Sequence, residues 1–172
     1  MAKGDGMKRY FLCILIIVLY LSSCKMKEEP QYTPQFALSE FVVRHADPSE
    51  PKDTIKVQNI GEDIVIDTIA VGDTVHFAIL CNAVTNQLTS FEVKTDTAVL
   101  GLTMQLSDQH TKALEATSDI ENFKLVFKPG YGAASIPMEY IARKSVTATL
   151  TFNLATTSEF SPASLVLKQP IK

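Results

Sequence analysis

The chain has 172 residues, of which 46% are hydrophobic, with 16 basic and 19 acidic side chains and no tryptophan. This length and apolar content are enough for one domain with a packed core. Because no basic cluster stands out, the sequence lacks the electrostatic footprint of a nucleic-acid-binding protein, and we expect no nucleic-acid partner.

The N-terminus has the layout of a secretory signal peptide. A short basic segment, Met7-Lys8-Arg9, precedes twelve apolar or aromatic residues over 10–21. A signal peptide needs an apolar run of about 7–15 residues, whereas a membrane-spanning helix needs roughly 20. The pattern therefore predicts a signal peptide over residues 1–23.

The run ends in Leu21-Ser22-Ser23-Cys24. These four residues closely resemble the bacterial lipobox, in which a branched apolar residue and two small residues precede an invariant cysteine. The resemblance implies cleavage before Cys24, a thioether-linked diacylglycerol on its sulfur and an acyl group on the new amino terminus. Two or more acyl chains anchor a protein stably at a bilayer.

A polar, proline-containing segment follows, and we expect a flexible tether over 24–35 and a folded domain over 36–172. Lys27-Glu28-Glu29 resembles the charged signal that sends Bacteroidota lipoproteins to the outer cell surface. The expected location is the cell envelope, anchored to the outer membrane at its periplasmic face or at the cell surface. The sequence leaves the choice of leaflet open.

The mature chain would keep Cys24 and Cys81 of the three cysteines, because Cys13 leaves with the signal. Since lipid would occupy Cys24, no intrachain disulfide can form. Cys81 lies in a predicted strand beside large apolar residues, so we expect a buried thiol that behaves as a small hydrophobic side chain.

Alternating apolar and polar residues predict strands from about residue 35 onward. In the strand over 74–82, Val75, Phe77, Ile79 and Cys81 share one face, and the strand over 145–154 alternates in the same way. Weaker strands fill the remainder, with a phase slip between Leu38 and Phe41 that suggests a β-bulge. Helical patterns are slight, and we allow one or two turns between 107 and 122.

About 7–9 short strands predict an all-β fold, and clean alternation indicates antiparallel sheets. The Cys81 strand, the Phe91 strand, the Val146–Leu154 strand and a last strand across Ser161-Pro162 resemble strands B, C, F and G of an immunoglobulin-like β-sandwich. The resemblance is one of topology, since the tryptophan and paired cysteines of antibody domains are absent. A lipocalin-like barrel is the alternative.

Sequence motifs for catalysis, phosphate binding and calcium binding are absent. The three histidines, His45, His76 and His110, fall in different segments, and a metal site needs several convergent ligands. His76 lies opposite the Cys81 face and is expected at the surface. We therefore expect no catalytic residues, no metal and no cofactor.

Four Asp-Thr pairs, each followed by an apolar residue, resemble the O-glycosylation sequon of Bacteroidota secreted proteins. The resemblance implies sugar on Thr54, Thr68, Thr74 and Thr97. The alternative is turn chemistry, because Asp bonds nearby backbone at the start of a strand and Thr favours strands.

These patterns favour a non-catalytic, lipid-anchored binding or structural module that attaches to the membrane through Cys24. Its further partner is unknown. A protein is favoured over a glycan, for which only Tyr131, Tyr140 and Phe160 offer candidate aromatic platforms. The alternative is an envelope hydrolase, or a binder of a small apolar ligand, whose site the sequence does not reveal.

Overall fold

A computed structural model describes residues 30–60 and 63–172. The chain separates into the residues up to Pro30 and the unit Gln31–Lys172. All strands of the described part belong to the second unit. The first of them starts at Gln35, one residue before the predicted start of the domain at residue 36.

Two sheets form the domain. The first sheet has the order β3-β2-β6-β10-β8, and β1 also pairs with β6. Its strands are β1 (Gln35–Leu38), β2 (Phe41–Arg44), β3 (Asp53–Ile55), β6 (Thr74–Asn82), β8 (Leu100–Met104) and β10 (Ala133–Ala142).

The second sheet has the order β4-β5-β12-β11-β7-β9. Its strands are β4 (Val57–Ile60), β5 (Asp63–Ile66), β7 (Leu88–Thr95), β9 (Lys124–Val126), β11 (Ala148–Thr156) and β12 (Ala163–Gln169). The single helix among the described residues is α1 (Asp108–Lys112), which lies within the segment where one or two helical turns were predicted.

These two separate sheets confirm the predicted immunoglobulin-like β-sandwich over its lipocalin-like alternative. The strand that carries Cys81 lies in one sheet, while β7, β11 and β12 are neighbours in the other, as strands C, F and G would be. All pairs are antiparallel except β5 with β12, which run parallel. The described part has twelve strands, more than predicted, because several are only three or four residues long.

The predicted β-bulge separates β1 from β2. Leu38 lies opposite Ile79, and Val42 lies opposite His76. An advance of four residues from β1 to β2 therefore matches an advance of three residues along β6. Ser39 fills the irregularity, since its hydroxyl accepts a hydrogen bond from the Ala78 N–H at 2.7 Å. The extra residue restores the apolar face, which allows Phe41 and Val43 to point into the core beside β6.

A chain of aromatic rings crosses the core from one sheet to the other. Phe77 of β6 stacks on Phe41 of β2 with ring centroids 4.8 Å apart. The same ring meets Phe152 of β11 edge-to-face at 6.2 Å, and Phe152 stacks on Phe91 of β7. Aromatic pairs of this geometry contribute about 0.5–1.5 kcal/mol beyond the burial of their surface.

One buried hydrogen bond also joins the sheets. The Tyr140 hydroxyl donates to Oε1 of Gln169 at 2.6 Å, and both side chains are fully buried. The Gln169 amide nitrogen donates to the carbonyl oxygens of Asp67 and Pro170. The polar atoms of Gln169 are thus paired with Tyr140 and with the backbone that follows β5 and β12.

We expect Tyr140→Phe to lower the free energy of unfolding by about 1–3 kcal/mol, because Oε1 of Gln169 loses its donor at a fully buried site. Denaturant unfolding measures the change. The matched control is Tyr131→Phe at an exposed site, where a change within about 0.5 kcal/mol is expected. Equal stabilities for the Tyr140 and Tyr131 variants would contradict the role given to this bond.

Candidate functional site

The predicted lipidation residue, Cys24, lies outside the described residues, and so does Lys27-Glu28-Glu29. Both remain predictions from the sequence. Among the residues that the structure does describe, no helix is long and apolar enough to cross a membrane.

The four threonines of the Asp-Thr pairs are accessible to different degrees. Thr54 in β3, Thr68 before β6 and Thr97 between β7 and β8 are exposed, whereas Thr74 at the start of β6 is half-buried. They lie in separate segments, and their glycosylation stays a prediction.

The aspartates of these pairs hold turns and strand ends. The Asp96 carboxylate accepts the Ala98 N–H at 2.9 Å, and the Asp53 carboxylate accepts the Thr54 N–H at 2.7 Å. Turn chemistry therefore operates at these two pairs, whether or not the threonines carry sugar.

Asp73 is the most buried of these aspartates, with 3% of its surface exposed. Its two carboxylate oxygens accept the N–H groups of Ala46 and Ala70 at 3.0 and 2.9 Å, and His45 Nδ1 lies 3.3 Å away. This arrangement fixes the chain between β2 and β3 against the turn before β6. Its geometry is that of a structural junction.

The three histidines have separate surroundings. His76 lies on the outer face of the first sheet, as predicted, with Nδ1 3.1 Å from the Glu139 carboxylate. His110 Nδ1 accepts the Ser107 N–H at the start of α1. Across the described ranges, no three His, Cys, Asp or Glu side chains are grouped as a metal site requires.

Cys81 is a buried free thiol in β6, which confirms the prediction that it belongs to the core. Burial raises the pKa of this thiol to about 12. Because the thiolate is the reactive form, the side chain is inert near neutral pH.

Two exposed carboxyl groups have a clearly lowered pKa, Asp47 and Asp119. Hydrogen bonds from Ser49 lower the pKa of Asp47, and hydrogen bonds from Asn122 lower the pKa of Asp119. A general acid in a hydrolase needs a raised pKa instead. Neither carboxyl group suits that role.

The three candidate aromatic platforms separate into two groups. Tyr140 is fully buried in the core, so it is a structural residue and offers no platform to a glycan: its ring faces inward on β10, and burial raises the pKa of its hydroxyl. Tyr131 and Phe160 are 39% and 54% exposed. Both lie in loops at one end of the sandwich.

Gln87, between β6 and β7, joins the loops at this end. Its backbone exchanges hydrogen bonds with Thr157, in the loop between β11 and β12. Its side-chain oxygen accepts the Gly130 N–H at 2.9 Å, in the loop between β9 and β10. Gln87 thereby holds together three loops, although it lies 43 residues from Gly130 and 70 residues from Thr157 in the sequence.

The chain enters the domain at the same end. The side-chain oxygen of Gln31 accepts the Glu159 N–H at 3.3 Å, and Gln35 in β1 lies opposite Asn82, the last residue of β6. We name as the tether-end surface the four exposed large apolar side chains near this entry point: Tyr32, Val84, Tyr131 and Phe160.

The loop that carries Phe160 is ordered by short polar side chains. The Thr156 N–H donates to the Ser161 hydroxyl at 2.8 Å, and the Phe160 N–H donates to the buried Ser158 hydroxyl at 3.2 Å. These bonds fix the backbone on both sides of Phe160. The backbone position from which its exposed ring projects is therefore defined.

Val84 has a strained backbone. Its φ is 61°, in the left-handed region that β-branched residues rarely adopt, and the Asn82 side chain accepts its N–H at 2.8 Å. The strain costs about 1–2 kcal/mol, and such strain often marks a functional surface. Sequence patterns missed Val84, since nothing in its neighbourhood predicts positive φ for valine.

We expect Val84→Asn to raise the free energy of unfolding by about 1 kcal/mol, because asparagine tolerates this conformation. Denaturant unfolding measures the gain. Val71→Asn is the control, since Val71 is similarly exposed but its φ is not positive. A gain of the same size at both positions would show that polarity, and not backbone strain, is responsible.

A concave feature lies on the outer face of the first sheet, beside the β-bulge. This open groove of about 220 Å³ is lined by Ala37, Leu38, Ser39, Ala78, Leu80 and Ser135. It is a surface groove and differs from the enclosed cavity that a small apolar ligand needs.

Comparisons with known proteins identify no family. No family model matches the chain, and no curated protein matches it. Among solved structures, a PapD-like domain of human CEP192 matches at 10% identity and a TM-score of 0.39, covering 86% of this chain and 91% of that domain.

Two bacterial enzymes also match parts of the chain. A family 123 glycoside hydrolase from Clostridium perfringens matches at 8% identity and a TM-score of 0.41, over 81% of this chain and 27% of that one. A secreted serine protease from Vibrio cholerae matches at 5% identity and a TM-score of 0.39, over 68% of this chain and 23% of that one. The chain thus spans about a quarter of the length of these two enzymes. Identities and TM-scores this low say nothing about the activity of this chain.

Proposed function

We propose that the protein is a lipid-anchored lipoprotein of the bacterial cell envelope, whose β-sandwich is a non-catalytic binding or structural module. The observation that carries the proposal is Leu21-Ser22-Ser23-Cys24 directly after a basic segment and an apolar run of signal-peptide length. We place the anchor in the outer membrane, at the periplasmic face or the cell surface.

The position of the domain in the sequence is compatible with this anchor. The sandwich unit begins at Gln31, seven residues after Cys24. Seven residues span at most about 25 Å when fully extended, which is enough to separate a folded domain from a bilayer.

Two features favour a module without catalysis. The buried polar groups Asp73 and Gln169 bind backbone groups of this chain, and the buried thiol of Cys81 is protonated near neutral pH. Each therefore has a structural role in the domain. A protein partner is favoured over a glycan, because the chain lacks the tryptophan that sugar platforms commonly use.

Mass spectrometry of the mature N-terminus tests the proposal. Cells that express the full chain are grown with a clickable fatty acid, and the purified protein is digested. We expect an N-terminal peptide that starts at Cys24 and carries the label on that residue. An unlabelled chain that starts elsewhere would reject the lipoprotein proposal.

A further inference from the structure

The tether-end surface brings exposed apolar side chains from several loops to one end of the sandwich. Tyr32, Val84, Tyr131 and Phe160 are 39–54% exposed, and they come from four segments that meet at one end of the sandwich. Grouped exposed apolar side chains on a soluble domain mark a surface that contacts another molecule or a membrane.

We propose that the tether-end surface rests in the headgroup region of the membrane that holds the lipidated Cys24. The inference rests on the proposed function, since it needs the anchor. It goes further by assigning a membrane-contacting surface to the domain and an orientation to the sandwich.

The short covalent connection carries the first part of the argument. Gln31 contacts Glu159 in the loop of Phe160, and only seven residues separate Gln31 from Cys24. A chain of this length has a typical end-to-end distance of about 15 Å and a maximum of about 25 Å. The end of the domain where Gln31 lies is therefore the end kept close to the bilayer.

The chemistry of the surface carries the second part. Tyrosine and phenylalanine suit the membrane interface, where the aromatic ring contacts the acyl boundary. In tyrosine, the hydroxyl also remains among the headgroups. The backbone around Phe160 is ordered by Ser158 and Ser161, and Val84 has a positive φ and a side chain that is 39% exposed. Presenting these side chains to the membrane requires little further ordering of the loops.

Glu159 limits how deeply the tether-end surface can enter the membrane. It lies next to Phe160 and is exposed, and a carboxylate is costly to bury in the hydrocarbon core. Contact is therefore shallow, with the rings at headgroup level and the strands outside the bilayer.

The absence of tryptophan from the chain provides a clean test. The full lipidated protein carrying Phe160→Trp is reconstituted into vesicles of phosphatidylethanolamine and phosphatidylglycerol that contain brominated phosphatidylcholine. The matched control is Val146→Trp, which replaces a side chain that is 47% exposed, near the start of β11. β11 has nine residues. At about 3.3 Å per residue its two ends are about 27 Å apart, so the control tryptophan lies at the far end of the domain.

For Phe160→Trp we expect a blue-shifted emission and a several-fold stronger quenching by the brominated lipid than for Val146→Trp. Both variants should float with the vesicles and unfold at the same temperature as the parent. Equal, weak quenching of two vesicle-bound variants overturns the membrane contact and leaves the lipid anchor intact. That result would assign the surface to a protein or glycan partner instead. Failure of both correctly folded variants to float overturns the proposed anchor, and the orientation with it.

Discussion

Replacing the sulfur of Cys24 by a hydroxyl should release the protein from the outer membrane. In a Cys24→Ser variant the diacylglycerol has no thiol to join, so cleavage at this site and acylation of the new amino group cannot follow. Membrane affinity grows by about 0.8 kcal/mol for each buried CH₂, and stable anchoring takes more than one chain. Loss of every chain should therefore remove nearly all of the protein from the outer-membrane fraction.

The measurement is separation of inner and outer membranes combined with fatty-acid labelling. Ser23→Ala is the matched control, because it keeps a small residue beside the cysteine and should be labelled and anchored like the parent. The apolar run over 10–21 is too short to span a bilayer easily, and it would hold an uncleaved chain at the inner membrane at most. A Cys24→Ser variant that reaches the outer membrane as efficiently as the parent contradicts the proposal.

Sequence periodicity predicted the sandwich best where one face of a strand meets the core and the other meets water. Val75, Phe77 and Ile79 face inward along β6, and Leu150 and Phe152 do so along β11, as their alternation required. A residue that slips by one position in such a strand changes faces, so the pattern is strongly constrained.

The same alternation failed at the ends of strands. Val146 extends the apolar pattern of β11, but the strand begins at Ala148 and Val146 is 47% exposed. Phe123 extends the pattern of β9, but its φ is 57° and it belongs to the turn before the strand. These strands end where their hydrogen bonding to neighbouring strands stops, and the local sequence does not contain that information.

The tether-end surface was predictable only in part. Tyr131 and Phe160 stand out as aromatic residues near Gly or Pro, but Tyr140 looks similar in sequence and is buried on β10. Tertiary contacts distinguish Tyr131 and Phe160 from Tyr140, because Gln87 binds the two loops that carry them. As a lone polar residue, Gln87 gives no signal in the sequence. Cys24 is the converse case, because a local motif alone predicts its lipidation.

The aromatic core offers the strongest test of how the two sheets are held together. Phe152 has no exposed surface, and it contacts Phe77 across the sandwich and Phe91 within its own sheet. We expect Phe152→Ala to lower the free energy of unfolding by about 3–5 kcal/mol, because the substitution loses burial and leaves a cavity between the sheets. A loss of this size is a large part of the total stability of an ordinary domain.

Denaturant unfolding of the mature domain measures this loss, and Phe160→Ala is the matched control. The two substitutions remove the same atoms, but Phe160 is 54% exposed and its replacement should change stability by less than about 1 kcal/mol. Since the ring of Phe152 contacts both sheets, the difference between the two variants measures the stabilisation from burying this ring between them. Similar losses for both variants would show that the core tolerates the cavity or that the loop of Phe160 is itself part of the core, and either would contradict the packing described above.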